Sequence, residues 1–334
     1  MPRPTRVAAP ARPADTLRAA GTLQAANALR AAVLAWSAAH GRTLPEREAR
    51  EPWRVLVIEV MSQQTQIARS LQAAVTFCAR FPTPQSLAEA SPAEAVRAWA
   101  GLGYNRRALA LRAAAQAIVE RHAGRVPADL AALLTLPGIG PYTARAIAAR
   151  VHGLPVMPVD VNVRRVLGRL LGDADTAAVQ ALGDAIAGSV ARDGPGQAEP
   201  TAHPGEIADA LMDLAALVCR PRHPDCPACP LEPHCARARS VGQLVGGAAA
   251  VAPDRRPRPE RPRSTPATPF PRSRRWLRGQ LLRELRLAPP GAWLAIEGNR
   301  GMHGHTAVRE ALSALAAEGF VELDEAGRAR LAEG

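Results

Sequence analysis

Four of the five cysteines are gathered in "CRPRHPDCPACPLEPHC", where Cys219, Cys226, Cys229 and Cys235 follow the spacing C-x6-C-x2-C-x5-C. A loop that holds four thiols so close together must fold around something shared. Two disulfides packed into it would serve little purpose in a reducing compartment, so a common metal centre is the expected occupant. Zinc and a [4Fe–4S] cluster both accept four sulfurs, and the spacing alone leaves both open, although six residues between the first two is long for a zinc knuckle. Cys78, in "TFCARF", reads as a buried core thiol.

The rest of the chain must supply a scaffold for that loop, and its composition favours helices. Of 334 residues, 47% are hydrophobic but only 3% aromatic, so the core is built mainly from Ala, Leu and Val. Helical periodicity with glycine stops runs through "LQAANALRAAVLAWSAAHG", "PAEAVRAWAGLG" and "RRALALRAAAQAIVERHAG", with Ser86 and Ser91 as helix-start residues. No strand-like alternation recurs from Leu23 to Val218, and the expected fold class is all-α. "GPGQAEPTAHP", about 194–204, reads as a surface loop.

Four segments are expected: a flexible basic tail (1–22), a helical core (23–237), a Pro/Arg-rich linker (238–275) and a small module (276–334). The last reads as helix, helix and a short hairpin around Phe320 to Leu331, similar to a winged helix. The net charge of +12 points to an anionic polymer, the alternative being a solvated arginine surface. No run of about 18 apolar residues exists, so no membrane span is expected, and a cytoplasmic setting is the default. All 42 basic residues are arginine, so this chain has no lysine amine for Schiff-base chemistry.

Three further stretches carry chemistry. In "LTLPGIGPYTARAIAARV", Gly138 and Gly140 are expected to adopt backbone conformations closed to other residues. The helix starting near Tyr142 and Thr143 then offers main-chain donors to a phosphate; the ordinary alternative is an interhelical loop. Asp160, in "MPVDVNVRRV", reads either as a helix N-cap or as a carboxylate facing a cleft, with Asn162 orienting it. Glu59, inside "VLVIEVMSQQTQ", has apolar neighbours that raise a carboxyl pKa and keep a proton available; the alternative is the exposed stripe of an amphipathic helix.

Together, the cysteine spacing, "LPGIGPYTA", "VDVNVRRV" and "EVMSQQTQ" resemble the MutY branch of the endonuclease III superfamily, the helix-hairpin-helix glycosylases, over about Leu29 to Arg237. The resemblance implies a [4Fe–4S] cluster on the four cysteines and double-stranded DNA with adenine opposite 8-oxoguanine or guanine as substrate. It implies that Glu59 protonates the departing adenine, Asp160 stabilises the sugar cation, and Tyr142 stands where strand-cutting relatives carry lysine. Gln63, Gln64, Thr65 and Tyr104 fall at duplex-contacting positions, as do Gly138, Gly140, Thr143, Arg220 and Arg222, with His223 beside the arginines. The chain departs from the family pattern at Glu46, Asn105, Ala208 and Asp209. Residues 276–334 are too few and too helical for the larger lesion-sensing domain of many members. The implied protein is a monomeric, nucleoid-associated base-excision repair enzyme without lysine-dependent lyase chemistry. The alternatives are a thymine or uracil mismatch glycosylase on the same scaffold and a non-catalytic DNA-binding regulator.

Overall fold

The computed structural model describes residues 13–44, 47, 50–172, 174–188, 202–239 and 270–334. The first twelve residues, most of the 194–204 loop and most of the linker lie outside them. The chain divides into two compact units that interleave along the sequence: Met1–Glu48 with Ala148–Asp254, and Ala49–Ile147 with Arg255–Gly334. The stretch 23–237, expected as one core, is thus shared between the two, and the C-terminal module falls in the same unit as residues 49–147.

The first unit contains α1 (Pro13–His40), α9 (Val161–Leu171), α10 (Thr176–Gly188) and α11 (Pro204–Leu217). Helix α1 begins inside the segment expected to be a flexible tail. Its sequence explains this: proline is well placed at a first helical position, and the Ala, Leu and Arg that come after it are strong helix formers. In α9 the apolar positions Val163, Val166, Leu167 and Leu170 repeat at helical spacing and are buried. They meet Leu29 and Val33 of α1, Val179 and Ile186 of α10, and Ile207, Leu211 and Leu214 of α11. Each such aliphatic side chain contributes about 1.5–3 kcal/mol by leaving water. The cysteine loop, with a 3-10 turn at Glu232–His234, packs Leu231 and three of its thiols against this core.

The second unit contains α2 (Pro52–Ser62), α3 (Ile67–Arg80), α4 (Pro84–Glu89), α5 (Pro92–Ala98), α6 (Arg106–His122) and α7 (Leu130–Leu134); the boundary between the units falls within α8 (Pro141–His152). Most of the few aromatic side chains of the core lie here. Trp99 packs edge-on to Phe77 at 5.8 Å, and Trp53 donates its indole N–H to Phe81 O at 2.9 Å. The start signals hold with one correction. Ser91 caps α5 and Glu94 closes the reciprocal capping box, whereas α4 is capped by Thr83, and Ser86 sits three residues inside it as the box partner.

The C-terminal segment adds α12 (Arg274–Leu287), α13 (His305–Ala317) and the antiparallel pair β1 (Val321–Leu323) and β2 (Ala329–Leu331), which is the helix, helix, hairpin order read from the sequence. Its first helix is capped by Ser273 and so begins two residues ahead of the expected boundary. Leu277, Leu281, Leu285, Leu312, Leu315 and Phe320 form its core, and Ala93 and Val96 of α5 belong to the same cluster.

Candidate functional site

Two groups of the residues singled out in the sequence are assembled, one in each unit. In the second unit, α2 is fixed at its start by Glu51, whose carboxylate accepts the amides of Trp53 and Arg54. It is fixed along its length by the buried Val55, Leu56, Val57, Val60 and Met61. Glu59 is half-buried among them and carries the only carboxylate on that helix. At the end of α2 the chain turns sharply through Gln63, Gln64 and Thr65, with Gln64 in left-handed backbone (φ 54°).

Arg107 organises this turn. From α6 its Nη1 donates to Val60 O (2.9 Å), Met61 O (2.8 Å) and Gln63 O (2.6 Å), gathering the carbonyls at the end of α2. Its Nη2 donates to Thr65 Oγ1 (3.1 Å) and Gly103 O (3.2 Å). The same guanidinium lies over the Trp99 and Tyr104 rings, 5.3 and 5.6 Å from their centroids. Burial lowers its pKa, against a smaller opposing influence of Tyr104, and it remains a cation at neutral pH. Tyr104 comes after Gly101 and Gly103, both at positive φ, and itself takes φ 45°, with 40% of its surface exposed.

The hairpin completes this group. Asp129 caps α7 through Ala132 N, and the turn buries Leu136 and Ile139 before α8 starts at Pro141. Gly138 has φ 76°, and a Cβ there would stand 2.8 Å from Ala110 Cβ, so only glycine fits. Gly140 differs from expectation: its φ is not positive and a Cβ would meet nothing within 4 Å, so its backbone is open to other residues. The first helical bond runs from Ala144 N to Gly140 O, which leaves Thr143 N ahead of the α8 ladder. The buried Thr143 Oγ1 accepts a bond from Gln63 Nε2 at 3.2 Å, tying hairpin to turn. Tyr142 is half-buried in the first turn of α8.

In the first unit, Asp160 is the N-cap of α9: Oδ1 accepts Asn162 N and Val163 N, both at 2.8 Å. The capping reading is the one observed, and Oδ2 is held separately by Asn162 Nδ2 at 2.7 Å. Asn162 Oδ1 accepts from Arg165 Nη1 (3.0 Å), and Arg165 reaches Cys219 O (2.8 Å) and Ala215 O (2.9 Å). Arg169, one turn on, donates to Arg220 O (2.8 Å), Pro221 O (3.1 Å) and the Cys219 sulfur (3.4 Å). One helix therefore joins the Asp160 carboxylate to the cysteine loop through two arginines.

The four cysteines line one cavity with Val166, Leu170, Val218 and Leu231. Burial, followed by the neighbouring thiols, pushes the Cys226 thiol up, and burial pushes Cys229 to about 11. Among the described residues no set of His, Cys, Asp or Glu converges as on a single ion. Cys219, Cys226, Cys229 and Cys235 are the residues of this loop that could hold a metal centre through sulfur. Arg220 and Arg222 are on this loop, and His223 holds a left-handed turn at φ 54°.

Asp209, which departs from the family pattern, accepts Arg150 Nη2 at 2.7 Å and lies 3.6 Å from Arg47 Nε. Burial raises its pKa against these two arginines. Below it, the fully buried Asp213 receives Arg42 N and Nε (2.9 and 2.6 Å) and both Arg47 Nη atoms (2.7 and 2.8 Å).

Arg107, Arg165 and Arg169 were not singled out from the sequence. Their signal was faint: each lies within two helical turns after a named residue, at "YNRR" and "DVNVRR…R". Of the four non-glycine residues at positive φ among the described residues, three (Gln64, Tyr104 and His223) fall at or beside expected duplex contacts. Such strain collects where a side chain must be presented in one direction.

A profile described as HhH-GPD superfamily base excision DNA repair protein matches residues 57–183. The Mycobacterium tuberculosis adenine DNA glycosylase is 44% identical over 204 residues, covering 60% of this chain and 64% of that protein. The Mycolicibacterium smegmatis adenine DNA glycosylase is 42% identical over 216 residues, covering 64% and 70%. The human adenine DNA glycosylase is 37% identical over 235 residues, with 67% of this chain matched against 42% of the human one. The chain thus spans under two thirds of the M. tuberculosis relative. Among solved structures, a thermostable thymine-DNA glycosylase superposes with a TM-score of 0.57 at 22% identity, over 66% of this chain and 99% of that one. A non-covalent endonuclease III–DNA complex gives 0.51 at 21%, over 64% and 97%. The fold, the ordered motifs and the identity to these glycosylases agree: the chain belongs to the HhH-GPD superfamily of base excision DNA repair proteins.

Proposed function

We propose that this protein is a monofunctional adenine DNA glycosylase that hydrolyses the N-glycosidic bond of adenine opposite 8-oxoguanine or guanine. The observation that carries this reading is the Arg107 network. One guanidinium fixes the Gln63–Thr65 turn and Tyr104 on the unit whose α2 bears Glu59, and Gln63 ties that turn to the hairpin. The names of the mycobacterial and human relatives support adenine as the base.

The chemistry rests on the groups present. An adenine turned out of the stack leaves poorly unless protonated, and Glu59, half-buried in the apolar α2, gives up a proton to it. As the bond lengthens, positive charge grows on the sugar, and the Asp160 carboxylate, steadied by Asn162, stabilises it electrostatically. The Tyr142 hydroxyl assists Glu59 or the departing base. Water completes hydrolysis, and with no lysine in the chain the abasic strand stays intact. Gly138, Gly140, Thr143, Arg220 and Arg222 hold phosphates, and each such contact steepens the salt dependence of binding. Cys219, Cys226, Cys229 and Cys235 would hold a [4Fe–4S] cluster whose contribution is to stiffen the loop bearing the arginines.

The test is a comparison of Glu59→Gln with wild type on an A:8-oxoguanine duplex. The account expects free adenine from wild type, none from the variant, and unchanged duplex affinity. Equal adenine release by both proteins overturns the role of Glu59.

A further inference from the structure

The function proposed above uses nothing beyond Arg237, yet the C-terminal segment is built into the unit that carries Tyr104. Ala93 and Val96 of α5 share a core with Leu277, Leu281 and Leu285 of α12. The junction is also closed by polar bonds. Ala93 N donates to Ala332 O (2.7 Å), Arg97 Nη1 to Arg286 O (3.1 Å) and Ala288 O (3.0 Å), and Arg286 Nε to Val96 O (2.9 Å). Arg286 Nη2 donates to Asn105 Oδ1 at 2.7 Å, so the departure at Asn105 has a structural role and anchors the Tyr104 loop to α12.

This docking brings Arg275, in the first turn of α12, over the exposed Tyr104 ring at 4.2 Å, with the Phe270 ring centroid 5.9 Å from the same guanidinium. Phe270 is 60% and Tyr104 40% exposed. Arg106, Arg272 and Arg274 are exposed alongside. An exposed Phe270 ring and a part-exposed Tyr104 ring that share one guanidinium, among further arginines on a chain of net charge +12, match a partner offering both flat bases and phosphates. A protein surface satisfies the charge but supplies no comparable array of stacking faces; DNA supplies both.

We propose that the C-terminal segment extends the DNA-binding surface beside Tyr104: Phe270 stacks on a base, Arg275 pairs with a phosphate, and Arg286 is the positioning residue that sets this array through Asn105. The inference rests on the glycosylase reading for the identity of the ligand.

The test is equilibrium binding of the full chain to a short A:8-oxoguanine duplex across a salt series, with wild type, Phe270→Ala, Arg275→Ala and Arg275→Lys. Phe270→Ala is expected to raise Kd about 5-fold or more with an unchanged salt slope, as loss of one stacked base does. Arg275→Ala is expected to raise Kd and to lower the slope of log K against log salt by about one, and Arg275→Lys to restore the slope. Both positions are exposed, and an unchanged Tm is the expected control. Wild-type Kd and slope in both alanine variants overturn the proposal while leaving the glycosylase reading intact. A wild-type protein that binds no duplex refutes the glycosylase reading itself.

Discussion

Gly138→Ala isolates the backbone demand of the hairpin. The residue sits at φ 76°, and an added Cβ would lie 2.8 Å from the Cβ and 3.9 Å from the Cα of Ala110. Carbon atoms pack at about 3.5–4.0 Å, and Ala110 lies within α6, which cannot yield cheaply. Left-handed backbone costs an alanine about 1–2 kcal/mol, and overpacking adds about 1–3 kcal/mol, for a total of about 2–5 kcal/mol. That strain leaves by one of two routes: lower global stability, read by urea unfolding, or displacement of the turn, read as weaker duplex binding. Gly140→Ala is the matched control for unfolding, with ordinary φ and open space around it, and should stay within about 0.5 kcal/mol of wild type in urea. Adding Ala110→Gly to Gly138→Ala should recover the steric share but not the backbone share. Gly138→Ala indistinguishable from Gly140→Ala in urea and from wild type in duplex binding would refute the reasoning.

Three further outcomes are expected at the site and its supports. Asp160→Asn keeps a good N-cap but removes the charge, so Tm should hold while single-turnover base release falls about 100-fold or more, a loss of at least about 2.7 kcal/mol; a parallel loss of stability would make the residue chiefly structural. Asp213→Ala strands Arg42 and Arg47 and should cost about 3–5 kcal/mol in urea unfolding. In wild type, burial opposes ionisation of Asp213 but the bonds from Arg47 and Arg42 prevail and depress its pKa. Its stabilisation is therefore complete above the unfolded value near 3.9 and is lost as pH falls below that; a midpoint flat from pH 5 to pH 2 would contradict this. Replacing Cys226 with Ser should lower bound iron and sulfide per chain, and an iron-free wild type would contradict the cluster assignment.

The features legible in the sequence and those hidden from it divide along range. The cysteine spacing, the hairpin glycine and the capping of α5 are local: Ser91 and Glu94 meet within one turn, and their pattern is readable without the fold. The pairing of α1 with α10 and α11 depends on contacts such as Arg30 Nε to Ile186 O, across 156 positions, which no local pattern encodes. The arginines differ by packing that no local pattern encodes. Arg106 and Arg107 are adjacent, yet one is exposed and pairs with Glu318, while the other joins α2, the Gln63 turn and Tyr104. The two hairpin glycines show the opposite case: a G-x-G motif names both, and only the positive φ and the packing against Ala110 make Gly138 alone obligatory.

The central claim is tested most directly by single-turnover base release from duplexes carrying A:8-oxoguanine, A:G, T:G and U:G, resolved with and without alkali. The account predicts release from the two adenine duplexes, with strand cleavage appearing only after alkali. Release confined to T:G or U:G, or strand cleavage without alkali, would contradict it.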